Sequence, residues 1–560
     1  MHHSTRPLSK NLHSARSRST DVRSRWLWLV LFLLPALASA QEDQLQVAVK
    51  GELLSLDRNG LVSRATLPAD LQAPLGSLWK LFVYAWLADT GATEPAYECR
   101  GQSKEEVYCC TAGGSIGRDQ ALVKSCGLYF EPQRLGISEP DWRAYWQARK
   151  APQWLLSTST LQPQTQVPVA QLLEILATLP AQDQARRLLL DVVLGAADRN
   201  VVGALGGLLR IKTWSWFADE AAAQREGGFA GWTVDGTPVW AQGRGTSQTV
   251  LRNYSESLAS VLPAGWPAEP GRCVEVDLFS RYPIGNVLKA GRAVESGPLL
   301  GDYRVEFLNG NQLDIHSDGE LFLVKDKLVA RLDREEYVAR VLQREAKAEP
   351  AEAAKALAIA IRTYLLQNAG RTGECLTIDD SSNRQRVAPR PASAESRRIA
   401  AWTSDLILAG TNVTYHLTQS DADKLSWQQA VEQANAGQRY DAILSHAYPS
   451  ASLARWDNPV ASCTALPDAQ AWLQKQRRVW RQRLEGEVGY NEVSTFAVCR
   501  VAFGNPHVDR ERKRIYVRGV LSLQDRLDLT HEYLHLAFEA HPNGQDEAYI
   551  EGLARRLLLE

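Results

Sequence analysis

Near the C-terminus the chain reads His531-Glu532-Tyr533-Leu534-His535. On a helix, two imidazoles four residues apart lie about 40° from eclipsed, so both can reach one ion. Glu532, rotated about 100° from His531, is placed to take a proton from water in metal-assisted hydrolysis. Catalytic zinc takes three protein ligands and keeps a fourth position open. Zn2+ is therefore the expected cofactor, with its third ligand just downstream, where His541, Glu547 and Glu551 compete.

The elements needed to hold these groups are legible. Ser522 with Asp525 three residues on is a variant capping box that starts a helix. Leu523, Leu527, Leu534 and Phe538 supply its apolar face, Pro542-Asn543-Gly544 ends it, and Asp546 caps a second helix through Ala554. Glu551-Gly552-Leu553-Ala554 resembles the E-G-L-A helix of gluzincin metallopeptidases, which implies Glu551 as the third ligand. His541 has the metzincin spacing, but Phe538 stands at the glycine position and no methionine follows Met1 to make a Met-turn. Tyr549 and His541 are both candidates to stabilise an oxyanion.

A second constellation opens at Ser77-Leu78-Trp79-Lys80, where one helical turn brings an amine to a hydroxyl that it can deprotonate. Together with Ser125-Cys126-Gly127 and Lys212-Thr213-Trp214 it resembles the S-x-x-K, S-x-N and K-T-G elements of penicillin-binding proteins and serine β-lactamases. That resemblance implies Ser77 as nucleophile and Lys80 as base. Gly127 replaces an asparagine and Trp214 a glycine, and both departures count against catalysis.

A third constellation runs from Leu332 to Glu345 and on through Glu352-Ala353-Ala354-Lys355-Ala356-Leu357-Ala358-Ile359-Ala360-Ile361-Arg362-Thr363-Tyr364. It resembles the core of stage II sporulation protein D, which implies Glu345 as the catalytic acid of a peptidoglycan lytic transglycosylase. A carboxylic acid with a raised pKa suits protonation of a glycosidic oxygen. Ser382-Asn383-Arg384-Gln385 resembles that family's S-x-x-Q loop, with Val387 where an aromatic is expected.

Composition sets the frame. A net charge of −1 without any basic arm argues against nucleic acid as partner. Arg23 and Arg25 before the apolar run Trp26 to Leu34, then Ala38-Ser39-Ala40, read as a secretory signal, with the mature chain secreted or periplasmic and without a membrane span. The eight cysteines of an exported chain imply disulfides: Cys99, Cys109, Cys110 and Cys126 lie close enough for two local bridges, Cys463 and Cys499 are placed to staple the last domain, and the pairing itself does not follow from sequence.

The expected class is α+β, multidomain: a signal peptide at 1–40, a penicillin-binding-protein or β-lactamase-like domain at 41–271, a stage II sporulation protein D-like domain at 272–418 and a zincin-like domain at 419–560. As a whole the chain resembles a family of predicted secreted bacterial proteins that combines these modules. The leading functional expectation is zinc-dependent peptide-bond hydrolysis directed to peptidoglycan or envelope proteins. A catalytically degenerate peptidoglycan-binding scaffold, and cleavage of glycan strands by Glu345, are the alternatives.

Overall fold

The computed structural model describes residues 44–559 except 111, 197, 218–224, 268–272, 420–423, 449–450, 460–462, 494–495, 502–505 and 511–512. The expected export signal lies outside the described residues. Among the described residues no helix is long and apolar enough to cross a membrane. The chain adopts the mixed α+β, multidomain architecture expected from its sequence.

The first segment is built on a six-stranded antiparallel sheet, in spatial order Gly60–Thr66, Glu52–Asp57, Leu45–Val49, Pro238–Arg244, Arg225–Thr233, Leu209–Phe217. The run from Trp232 to Gln242 forms the hairpin that joins strands Arg225–Thr233 and Pro238–Arg244. Asp235-Gly236, with Gly236 at φ +81°, supplies the tight turn. Strand Leu209–Phe217 lies at the edge and places Lys212 and Trp214, two residues apart, on one face. That face meets the helix Trp79–Thr90 and its 3-10 entry turn Gly76–Leu78.

The second segment carries an eight-stranded sheet around the long strands Gly297–Phe307 and Gln312–Val324. Val274–Leu278 and Cys375–Asp379 pair in parallel, and the Cys273–Cys375 disulfide joins their starts. Helix Ala351–Asn368 is buried nearly all round, as a run of alanine and isoleucine with few charges requires. Residues across the expected boundary at 419 belong to the same packing unit. Helices Trp427–Asn435 and Tyr440–Ala447 lie on Ala351–Asn368, and strand Ser452–Arg455 pairs with Leu406–Ala409.

One hydrophobic core runs through both segments, from Leu45 to Trp456. Polar ties reinforce it: Arg210 to Asp405 at 3.2 Å, Arg455 to Asp191 at 2.9 Å, and the Tyr440 hydroxyl donating to the Val202 carbonyl at 2.8 Å. The C-terminal segment has its own core, in which helices Pro467–Leu484, Leu523–Ala537 and Glu547–Leu559 cover a four-stranded sheet. Cys463–Cys499 ties that sheet. The remaining bridges are Cys99–Cys110 and Cys109–Cys126.

Candidate functional site

Helix Leu523–Ala537 begins as its sequence implies. The Ser522 hydroxyl accepts from the Asp525 N–H, and the Asp525 carboxylate accepts from the Ser522 N–H, each at 3.0 Å. Leu523 is exposed rather than part of the apolar face, because the buried stripe runs through Leu529, Tyr533, Leu534, Leu536 and Ala537.

His531 and His535 turn their Nε2 atoms toward each other, 2.9 Å apart. The Glu547 carboxylate completes the group, 3.2 Å from His531 Nε2 and 3.4 Å from His535 Nε2. These three residues offer ligand atoms all within 4.8 Å of one another. Glu551, the ligand expected from sequence, sits elsewhere. Its carboxylate is 3.2 Å from His531 Nδ1, on the far side of the ring, and accepts from Arg555 Nε at 2.7 Å. The correction has a simple cause: the two glutamates lie one turn apart, and the turn Pro542–Gln545 sets which of them faces both histidines.

The second nitrogens are also engaged, since His535 Nδ1 lies 2.9 Å from the Gly544 carbonyl. Each imidazole thus has an acceptor at Nδ1 behind it and turns its Nε2 toward the other ring and Glu547, the arrangement that orients metal-binding histidines. The residues present therefore fit a zinc ion. Glu532 is buried beside them, and burial together with the charges of Glu547 and Asp528 pushes its carboxyl up to about 8 against the opposing Arg510. His541 caps the following turn through its side chain, and the Tyr549 hydroxyl donates to Glu487 at 2.7 Å. Neither expected oxyanion donor joins the cluster.

At the other end of the chain, Lys80 reaches Ser77 Oγ at 3.2 Å, the Ser125 carbonyl at 2.7 Å and Ser125 Oγ at 3.2 Å. Lys212 donates to Ser125 Oγ at 2.8 Å. Burial lowers the Lys80 amine to about 8, with Glu105 opposing the shift. Lys212 is pushed well down by burial and then by the Lys80 charge. Ser125 holds a left-handed conformation, φ +64°, as the cap of helix Arg118–Lys124, and the adjacent Cys126 is bridged to Cys109. Trp214 is buried against Gly76, where a Cβ would come within 2.9 Å of the Trp214 Cβ.

Glu345 ends helix Arg334–Glu345 and borders a groove of about 470 Å3 with Arg344, Lys347, Glu349 and Trp427. Burial raises its carboxyl, against the N–H of Arg386 that donates to it at 2.7 Å. Gln385 is wholly buried and bonded to Tyr337 and Tyr415, so it braces the loop rather than lining the groove. Ser125 and Lys212 complete the Ser77 constellation, and the serine-enzyme resemblance already pointed at both.

Comparison with known proteins adds the family. Residues 324–440 match a family model described as "Stage II sporulation protein", and residues 101–223 and 423–543 match one described as "Predicted secreted protein (DUF2300)". The "Uncharacterized protein YfaQ" of Escherichia coli (strain K12) is 54% identical over 547 residues, which are 96% of this chain and 99% of that protein. The chain belongs to the YfaQ family.

Solved structures with low similarity include a β-lactamase from Xanthomonas campestris pv. campestris, 13% identical with a TM-score of 0.25, over 40% of this chain and 92% of that one. A class D β-lactamase from Bacillus subtilis is 12% identical with a TM-score of 0.28, over 39% and 90%. The C-terminal domain of the Bacillus licheniformis BlaR penicillin-receptor is 13% identical with a TM-score of 0.26, over 39% and 87%. This YfaQ-family member is a secreted protein, and its four disulfides fit an extracytoplasmic compartment.

Proposed function

We propose that the protein is a cell-envelope hydrolase that cleaves peptide bonds at a zinc ion held by His531, His535 and Glu547, acting on peptidoglycan or on proteins held there. The observation that carries this reading is the convergence of the two Nε2 atoms and the Glu547 carboxylate, while Glu551 and the Gly544 carbonyl stand behind the rings. Zinc there would polarise a carbonyl and lower the pKa of water toward neutrality. Glu532, buried beside these ligands, is the residue that would accept a proton there and give it to a leaving amine. The Glu547 side chain is 75% exposed, which leaves one side of the cluster open to substrate.

An envelope setting follows from secretion and from the stage II sporulation protein match at 324–440. The full chain is expected to cleave stem peptides or envelope-protein peptides, to stop when a chelator removes zinc and to recover when zinc is returned. Cleavage that ignores the chelator would contradict the reading.

A second reading, acyl transfer on Ser77, is favoured by the chain of contacts from Lys80 through Ser125 to Lys212. With its proton taken by Lys80, Ser77 attacks an amide carbonyl; the carbonyl C–N bond breaks, the nitrogen leaves with the proton that Lys80 returns, and Ser77 is left acylated. A fluorescent penicillin is expected to label the full chain and to leave the Ser77→Ala variant unlabelled. An unlabelled parent chain would remove this reading.

A further inference from the structure

Gly127 stands where the serine-enzyme resemblance places an asparagine, and the space beside it borders Lys80 and Glu105. A Cβ on Gly127 would lie 3.6 Å from Lys80 Nζ and 3.9 Å from Glu105 Oε2, in ordinary contact with both. Gly127 has φ −67°, so its conformation does not require glycine. The volume beside it is therefore bordered by the Lys80 ammonium on one side and a carboxylate on the other.

That carboxylate comes from a different part of the chain, on an exposed residue whose backbone is fixed by the loop. Glu105 lies in the 3-10 turn Lys104–Tyr108, whose start is capped by Ser103. Two disulfides, Cys99–Cys110 and Cys109–Cys126, close the loop around it, and the second of them is anchored next to Ser125. The neighbouring Glu106 is committed to the loop itself, accepting from the N–H groups of Arg100, Gly101 and Gln102 and from the Tyr97 hydroxyl. The charged groups facing Lys80 are then Glu105 from this turn and Lys212 from the edge strand, with Ser77 and Ser125 as its hydrogen-bond partners.

We propose that Glu105 supplies, from the disulfide-closed loop, the polar partner that Gly127 lacks, and acts as the positioning counter-charge of Lys80 in the Ser77 site. The inference rests on the second reading above and deepens it. A carboxylate in that place favours the protonated amine, whereas burial and Lys212 disfavour it. Glu105 thus sets the pH at which Lys80 becomes neutral enough to accept the Ser77 proton.

The test uses the full chain and its Glu105→Gln variant, with two measurements. One is the titration of Lys80 Nζ by nitrogen NMR in lysine-labelled protein. The other is the pH profile of Ser77 labelling by a fluorescent penicillin. Removing the carboxylate is expected to move the Lys80 midpoint down by about 1 unit, and the rising limb of the labelling profile should move to lower pH with it. Persistent labelling with an unmoved Lys80 midpoint would overturn the inference and leave the Ser77 reading standing. Absence of labelling in the parent chain would overturn the Ser77 reading, and the Lys80 titration would still judge the Glu105 to Lys80 pairing by itself.

Discussion

Glu532→Gln is expected to keep its zinc and to lose peptide cleavage by about 100- to 10,000-fold, the range that removal of a general base produces. The amide has the shape of the carboxyl it replaces, and Glu532 is only 8% exposed, so packing around helix Leu523–Ala537 is preserved. Neither imidazole nor Glu547 is touched, which keeps the metal-holding atoms in place. The amide cannot accept the proton of water, and that alone is removed. The comparison is made by kcat on a cleaved peptide beside metal analysis of the same samples. Unchanged kcat would take Glu532 out of the chemistry.

Arg362→Met is expected to give the largest loss of stability. Arg362 is fully buried in the core shared by the first two segments and forms an ion pair with Glu335, which is 1% exposed. Its guanidinium also donates to the carbonyls of Leu406 at 3.0 Å and Ala400 at 3.2 Å and to the Thr403 hydroxyl at 3.2 Å. Methionine fills the space but leaves the buried Glu335 carboxylate with Arg334 as its remaining guanidinium partner, at 2.9 Å, so the loss approaches but does not exceed the ~3–5 kcal/mol of a fully broken buried pair. The loss should appear as a lower denaturant midpoint for the transition of the shared core. Glu335→Gln in the same background should recover part of it, because the buried carboxylate that has lost one of its two guanidinium partners is gone. A midpoint equal to that of the parent chain would show that the pair does not hold the core.

Much of this was readable in the residues. The capping box at Ser522, the i to i+4 histidines and the alanine-rich helix after Pro350 each depend on local spacing, and the chain forms all three locally. The third zinc position did not follow from spacing. Glu547 and Glu551 differ by one helical turn, and only the path of the chain through Pro542–Gln545 decides which of them meets Nε2 and which meets Nδ1.

The union of the first two segments was equally hidden. It rests on contacts such as Arg210 to Asp405, whose partners lie 195 residues apart and whose pairing no periodicity reveals. Glu105 was missed for the same reason. A glutamate in a cysteine-rich loop reads as a solvated charge until the folded chain sets it beside Gly127, on the side opposite Lys80.

The central claim is a zinc ion bound by His531, His535 and Glu547, and metal content measures it directly. Protein prepared without chelators is expected to carry close to one zinc per chain. Glu547→Gln should lose most of it, whereas Glu551→Gln should retain zinc with weaker affinity, because Glu551 only orients a ring. A chain without zinc, or one that keeps zinc in Glu547→Gln and loses it in Glu551→Gln, would contradict the account.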